Sequence, residues 1–99
     1  MYHIVFEDVA LQDVSTAKGY YKFQRNSPMQ AERFQKALTE AINFLRTNAH
    51  TPRIRQNGYR YKKVGKFPYV IVYILEQQTV IVDAVFNTYQ NPSRLLARI

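Results

Sequence analysis

Two segments in the second half of the chain are dense in Val, Ile and Tyr and are separated by a short polar break. The first is Tyr69–Leu75, the second is Thr79–Phe86, and Glu76–Gln78 lies between them. β-Branched and aromatic residues on both sides of a short polar interruption are typical of a β-hairpin. Pro68 stands where the first strand begins, a position at which its missing N–H does no harm. The pattern therefore predicts that the chain is organised around this hairpin.

A third strand is predicted just before the hairpin, because Tyr59–Val64 alternates aromatic and basic residues. Successive side chains of a strand point to opposite faces. Tyr61 and Lys63 would therefore share one face, and Arg60 and Lys62 the other. This strand should form an outer, positively charged edge of the sheet.

The first half of the chain begins with a short β-favouring run and continues as a helix. Tyr2–Phe6 predicts a first strand, and Glu7 and Asp8 follow it, where negative charge suits the positive end of a helix. Within Val9–Gln24, the apolar residues that recur at the spacing of one helical face are Ala10, Val14, Ala17 and Tyr21. This helix should end near Arg25 and Asn26.

A second helix is predicted from a capping box. Ser27 is the expected N-cap, Pro28 takes the first helical position, and Gln30 stands three residues after the cap. Its apolar stripe consists of Ala31, Phe34, Leu38, Ala41 and Leu45. Pro92 and Ser93 predict a short final helix, which must pack on the body or on a partner because it is too short to be stable alone.

These elements predict an α+β domain in the order β-α-α-β-β-β-α. An N-terminal helical hairpin should cover one face of a small, mostly antiparallel sheet. Ninety-nine residues can bury only one core, so residues 1–99 are expected to form a single domain.

The distribution of charge along the chain indicates what kind of partner the protein binds. The net charge is +7, from 14 Lys and Arg against 7 Asp and Glu. Between Thr51 and Lys66 there are six basic residues and no acidic one. They are Arg53, Arg55, Arg60, Lys62, Lys63 and Lys66. Such a cluster beside aromatic residues predicts a surface that binds an acidic or polyanionic partner.

Some tyrosines between Tyr59 and Tyr89 are predicted to be buried, and others are candidates for a binding site. Tyr69 and Tyr73 share a strand face with Ile71, which predicts burial. Tyr61 and Tyr89 are nearest to the basic residues and are therefore candidates for binding.

Several classes of protein are not expected. The chain has no cysteine, which excludes disulfides and thiolate metal sites. His3 and His50 are far apart, with only scattered carboxylates, so neither a metal nor another cofactor is expected. The longest apolar run, Tyr69–Leu75, is far below the roughly 20 residues that span a bilayer, and MYHIVFED lacks the pattern of a secretory signal. A cytoplasmic protein is expected.

Asp83 interrupts the last predicted strand. Strict alternation would place Ile81 and Val85 on the same side as Asp83, on a face that the helical hairpin does not cover. Ile81 and Val85 are therefore predicted to form an open apolar surface.

The chain as a whole resembles the RelE/ParE superfamily of toxins from bacterial type II toxin–antitoxin systems, which include plasmid stabilisation proteins. The segment Lys66–Tyr69 is similar to the KFPY or RFPY of ParE-type sequences. Ala84–Phe86 corresponds to an apolar triplet that histidine follows in many ParE-like members. Here Asn87 takes the place of that histidine, and Asn91-Pro92 keeps the usual ending.

The resemblance implies a growth-inhibiting toxin that a cognate antitoxin neutralises. RelE-like members cleave messenger RNA on the ribosome, whereas ParE-like members poison DNA gyrase without a known hydrolytic centre. RelE-like enzymes have an arginine on the middle strand where this sequence has Val70, and Asn87 replaces the histidine after the last strand. A tyrosine with a pKa of about 10 is a poor replacement base. We therefore expect the ParE-like activity, inhibition by binding, with gyrase as the target.

Two alternatives stay open. One is a metal-independent messenger RNA endoribonuclease in which Arg60, Lys62 and Tyr89 are the catalytic candidates. The other is a nontoxic relative that only binds nucleic acid or a partner. The expected antitoxin contacts are Ile81 and Val85. The expected residues for binding the target or nucleic acid are Arg53, Arg55, Arg60, Tyr61, Lys62, Lys63, Lys66, Tyr89 and Arg94.

Overall fold

The computed structural model describes all residues, 1–99, and shows four strands and three α-helices. The strands are β1 (His3–Phe6), β2 (Arg60–Lys63), β3 (Tyr69–Glu76) and β4 (Thr79–Asn87). The helices are α1 (Asp8–Gly19), α2 (Pro28–Asn48) and α3 (Pro92–Arg98). None of them combines the length and hydrophobicity needed to cross a bilayer.

The sheet has the strand order β1-β4-β3-β2. β2 pairs antiparallel with β3, and β3 with β4, as the sequence predicts. β1 adds in parallel on the outer side of β4, with Ile4 opposite Val80. The predicted α+β class with a mostly antiparallel sheet is therefore confirmed, and β1 makes the sheet mixed.

The first predicted helix is divided in two by the structure. α1 ends at Gly19, and the chain continues as a π-helical turn over Tyr20–Gln24. The N–H of Arg25 donates to the carbonyl of Tyr20 at 3.0 Å, and Asn26 then turns the chain with a φ of 49°. The turn is wider than that of an α-helix, and Tyr21 within it is buried in the core.

α2 begins as its capping residues predict. The Ser27 hydroxyl accepts the N–H of Gln30 at 3.2 Å, and Pro28 is the first helical residue. All five members of the predicted stripe are buried. This stripe and the buried alanines of α1 pack on one face of the sheet against Ile71, Tyr73, Val80 and Val82.

A β-bulge at Asp83 overturns the predicted open surface. Val72 lies opposite Ala84, but the next residue of β3, Tyr73, lies opposite Val82, which leaves Asp83 unpaired. The extra residue reverses the alternation of faces along β4. Val85 therefore joins the main core and is only 3% exposed, while Ile81 lies on the other face beside Ile74. The prediction that Ile81 and Val85 share one open face was wrong.

The face of the sheet away from α1 and α2 is itself partly covered. Leu95 of α3 is buried against Val72, Ala84 and Phe86, which form a second, smaller core. α3 is held by Arg98, which donates to Asp13 of α1 at 3.0 Å and to the carbonyl of Asp83 at 3.2 Å. Only part of this face stays open.

Candidate binding surface

The basic strand β2 lies at the margin of the sheet, as its alternation predicts. It pairs with β3 on one side, and on its outer side only an isolated bridge joins Arg60 to Ile54. The backbone groups on the rest of this outer side have no strand partner. Arg60, Lys62 and Lys63 therefore stand along an edge that is open to another chain.

No carboxylate neutralises the basic residues of this edge. The molecule contains one ion pair, between Arg98 and Asp13, and that pair lies at α3. The cations of residues 51–66 thus keep their charge uncompensated.

Two of the edge cations point toward the helices and have structural contacts there. Arg60 donates to the carbonyl of His50 at 3.0 Å and to that of Pro52 at 2.6 Å. The ammonium of Lys62 lies 4.2 Å from the centre of the Phe44 ring. These contacts tie the segment after α2 to β2, so Arg60 has less freedom to bind a partner than its position on the edge suggests.

The other face of β2 carries Tyr61 and Lys63. The guanidinium of Arg55 lies 4.8 Å from the centre of the Tyr61 ring, a distance typical of a cation–π contact. The turn at Asn57-Gly58 makes this possible, because both residues adopt positive φ angles, 57° and 80°. The N–H of Arg55 then donates to the carbonyl of Tyr59. The charge pattern of the sequence does not predict this pair, although the Asn-Gly dipeptide is a turn signal.

Lys66 and Tyr89 lie at the opposite end of the sheet from Arg55. Tyr89 is 86% exposed, and its N–H donates to the Asn87 side chain at 2.8 Å. Thr88 is bound to the carbonyl of Pro68 at the start of β3. Arg53 and Arg94 are both exposed, Arg53 before β2 and Arg94 on α3.

Tyr89 does not converge with Arg60 and Lys62, the other two candidate groups for RNA cleavage. Arg60 is opposite Tyr73 and Asn87 is opposite Tyr69, which is four residues away along β3. At about 3.4 Å per residue, these levels of the sheet are separated by roughly 13 Å. Tyr89 lies beyond Asn87, so it is far from Arg60, whereas Lys62 lies on the same helix-facing side of β2 as Arg60.

Several tyrosines near the sheet stay protonated at neutral pH. A hydrogen bond that Tyr59 donates to Asp83, with burial, raises the pKa of Tyr59 to about 12. Burial raises the pKa of Tyr73 to about 12. Burial also raises the pKa of Tyr69, although the hydrogen bond from Asn87 acts in the opposite direction. None of these phenols suits the role of general base. No three His, Asp or Glu side chains come together in a group that could hold a metal ion.

The sequence matches one family of proteins over most of its length. Residues 4–92 match the family described as "ParE toxin of type II toxin-antitoxin system, parDE". The chain therefore belongs to the ParE toxin family, and the resemblance found in its sequence is confirmed. No curated protein matches it.

Solved structures share the fold at low sequence identity. The chromosomal ParDE system from P. aeruginosa matches with a TM-score of 0.76 at 14% identity, over 88% of this chain and 96% of that chain. YafQ from E. coli strain BL21(DE3) matches with a TM-score of 0.59 at 16% identity, over 90% and 96%. The YoeB dimer from Staphylococcus aureus matches with a TM-score of 0.58 at 16% identity, over 85% and 93%.

Proposed function

We propose that this toxin acts in the cytoplasm by binding its target, DNA gyrase, and not by hydrolysis. The observation that carries the proposal is a basic edge strand with neither charge partners nor a catalytic group built around it. Val70 and Asn87 stand where RelE-like enzymes would need arginine and histidine, and Val70 packs into the second core under α3. The family match adds support, because it is a match to ParE toxins.

We also propose that an acidic antitoxin segment binds along β2. The open backbone edge can pair with an added strand, and the uncompensated cations would attract negative charge. Two similar structures are described as a ParDE toxin–antitoxin system and a YoeB–YefM toxin–antitoxin complex, which supports a protein partner of this kind. Val85 is buried, so a segment that continued from β2 across the open face of the sheet would meet Ile74 of β3, then Ile81 of β4 and Val5 of β1.

Supercoiling by purified gyrase tests the proposed target. We expect supercoiling to fall as purified toxin is added to stoichiometric amounts. The variant Tyr89→Phe keeps the aromatic ring and should still inhibit, because a toxin that only binds needs no proton transfer from this phenol. Unchanged supercoiling in the presence of excess wild-type toxin would remove gyrase as the target.

A ribonuclease is the second candidate, and the exposure of Tyr89 favours it. In that case Tyr89→Phe or Arg60→Ala would relieve growth arrest while the fold survives, and transcripts would be cut during arrest. Intact transcripts and continued translation would exclude this activity. Growth that is unaffected by induction of the wild type would instead indicate a nontoxic relative that only binds its partner.

A further inference from the structure

A cavity of about 440 Å³ opens between the turn that joins α1 to α2 and the turn that joins β2 to β3. We call it the hairpin-tip cavity. It is lined by Tyr21, Arg25, Ser27, Gln30, Lys66, Phe67 and Pro68. Its volume is in the range of sites that bind side chains or small ligands.

The charge of the hairpin-tip cavity is positive on two sides. Arg25 comes from the end of the π-helical turn and Lys66 from the strand turn, so two separate parts of the chain bring them together. Neither has a carboxylate within salt-bridge distance, and no acidic residue lines the cavity. Both side chains belong to exposed residues. An oxyanion between them would gain charge-assisted hydrogen bonds from both.

Two aromatic side chains, Tyr21 and Phe67, form part of the lining of the cavity. Tyr21 and Phe67 pack edge to face with ring centres 5.3 Å apart. The same hairpin tip exposes Phe23 and Met29, at 73% and 60%. Exposed apolar side chains in the segments that supply a charged cavity are typical of protein-binding surfaces.

We propose that the hairpin-tip cavity binds a carboxylate side chain from an acidic, amphipathic segment of a partner protein. The apolar side chains of that segment would pack near Phe23 and Met29. A protein fits better than nucleic acid, since a nucleic acid backbone requires a track of cations and this cavity has only Arg25 and Lys66. The inference rests on the proposed function, in which the toxin acts by binding proteins, and it adds a second contact surface to the β2 edge.

The test is a titration of ¹⁵N-labelled full-length protein with a short capped peptide of glutamate, leucine and phenylalanine. The cavity variant is Arg25→Glu/Lys66→Glu. The control is Lys18→Glu/Lys36→Glu, which changes the net charge equally at exposed positions outside the cavity. We expect amide shifts centred on Tyr21, Arg25 and Lys66 in the wild type. The peptide should bind about tenfold more weakly to the cavity variant and nearly normally to the control.

The remaining outcomes would overturn the inference. Equal weakening in both variants would mean that only the overall charge matters. Shifts centred on β2, or no binding, would leave the cavity without this ligand. A thymidine oligonucleotide of matched charge that binds the cavity more tightly than the peptide would indicate nucleic acid instead. Because the titration contains no gyrase, its result is independent of whether gyrase is the target.

Discussion

The side chain of Tyr73 is fully buried in the main core. Its hydroxyl donates to the carbonyl of Ala49 at 2.7 Å, and this bond joins β3 to the end of α2. A buried polar group without such a partner would be destabilising. The sequence predicts the burial of Tyr73 from its strand face, but the hydrogen-bond partner depends on where α2 ends.

The raised tyrosine pKa values predict a loss of stability in base. The pKa of Tyr73 is about 12 when folded, against about 10 in an unfolded chain. Between these values the unfolded state loses the proton first, so stability is fully present below pH 10 and falls as the pH rises toward 12. Melting temperatures from pH 8 to pH 11 should show this decline.

Tyr73→Phe provides the control for the decline in base. The variant should be less stable than the wild type at pH 8, because the Ala49 carbonyl loses its donor. The difference between the two melting temperatures should shrink as the pH rises to 11. A constant difference would show that the Tyr73 phenol is not held in its protonated form.

Gly65, in the turn between β2 and β3, is a position where a larger residue should destabilise the fold. Its φ is +52°, and an added Cβ would lie 3.1 Å from the Cβ of Ala37. Gly65→Ala should therefore lower the free energy of unfolding by about 1–3 kcal/mol in urea denaturation. Gly19→Ala is the control, since Gly19 has a helical φ of −62° and room for a Cβ. A destabilisation of equal size at Gly19 would contradict this account.

At the scale of elements, the side chain of Asp13 fixes α1 to two other parts of the fold. It accepts the N–H of Val85 at 3.0 Å, on the part of the β4 edge that β1 does not reach. It also forms the ion pair with Arg98 that holds α3. The same carboxylate therefore completes the sheet edge and anchors the last helix.

These two roles of Asp13 predict unequal costs. Arg98→Gln removes a partly exposed ion pair and an exposed hydrogen bond to the Asp83 carbonyl, and should cost about 1 kcal/mol. Asp13→Ala also leaves the Val85 N–H without a partner and should cost about 1–3 kcal/mol more. Hydrogen exchange at Val85 should accelerate in Asp13→Ala and stay slow in Arg98→Gln. Equal exchange in both variants would argue against the proposed hydrogen bond.

Local sequence patterns predicted most of the helices and strands, but not how all of the strands pair in the sheet. The stripe of α2, its Ser27 cap and the β3–β4 hairpin could be read because each has a periodic or capping signal. The parallel pairing of β1 with β4 could not, because it joins distant segments. The bulge at Asp83 could not either, since one extra residue leaves the composition of the strand unchanged while reversing its faces. Because of that bulge, the prediction that Ile81 and Val85 form one open surface was wrong.

At the scale of the whole molecule, uncompensated positive charge follows the β2 edge and divides between the two faces of the sheet. The basic residues of β2 and its preceding segment form no ion pair, and Lys66 continues the charge to the hairpin-tip cavity. The six basic candidates between Thr51 and Lys66 could be named from the sequence alone. Which of these side chains face the helices could not be predicted, because it depends on tertiary contacts. These contacts direct Arg60 and Lys62 toward the helices and Arg55 toward Tyr61.

The arrest of cell growth by charge-reversed variants tests the binding role of this edge most directly. Arg55→Glu/Lys63→Glu reverses two cations whose side chains make no hydrogen bond or ion pair, although Arg55 also loses its contact with the Tyr61 ring. Arg33→Glu/Lys36→Glu makes the same change in net charge on the exposed face of α2. With all proteins produced at equal levels and shown to be folded, we predict that the edge variant no longer arrests growth, whereas the α2 variant arrests it like the wild type. Arrest of equal strength by the folded edge variant would contradict a target-binding role for β2.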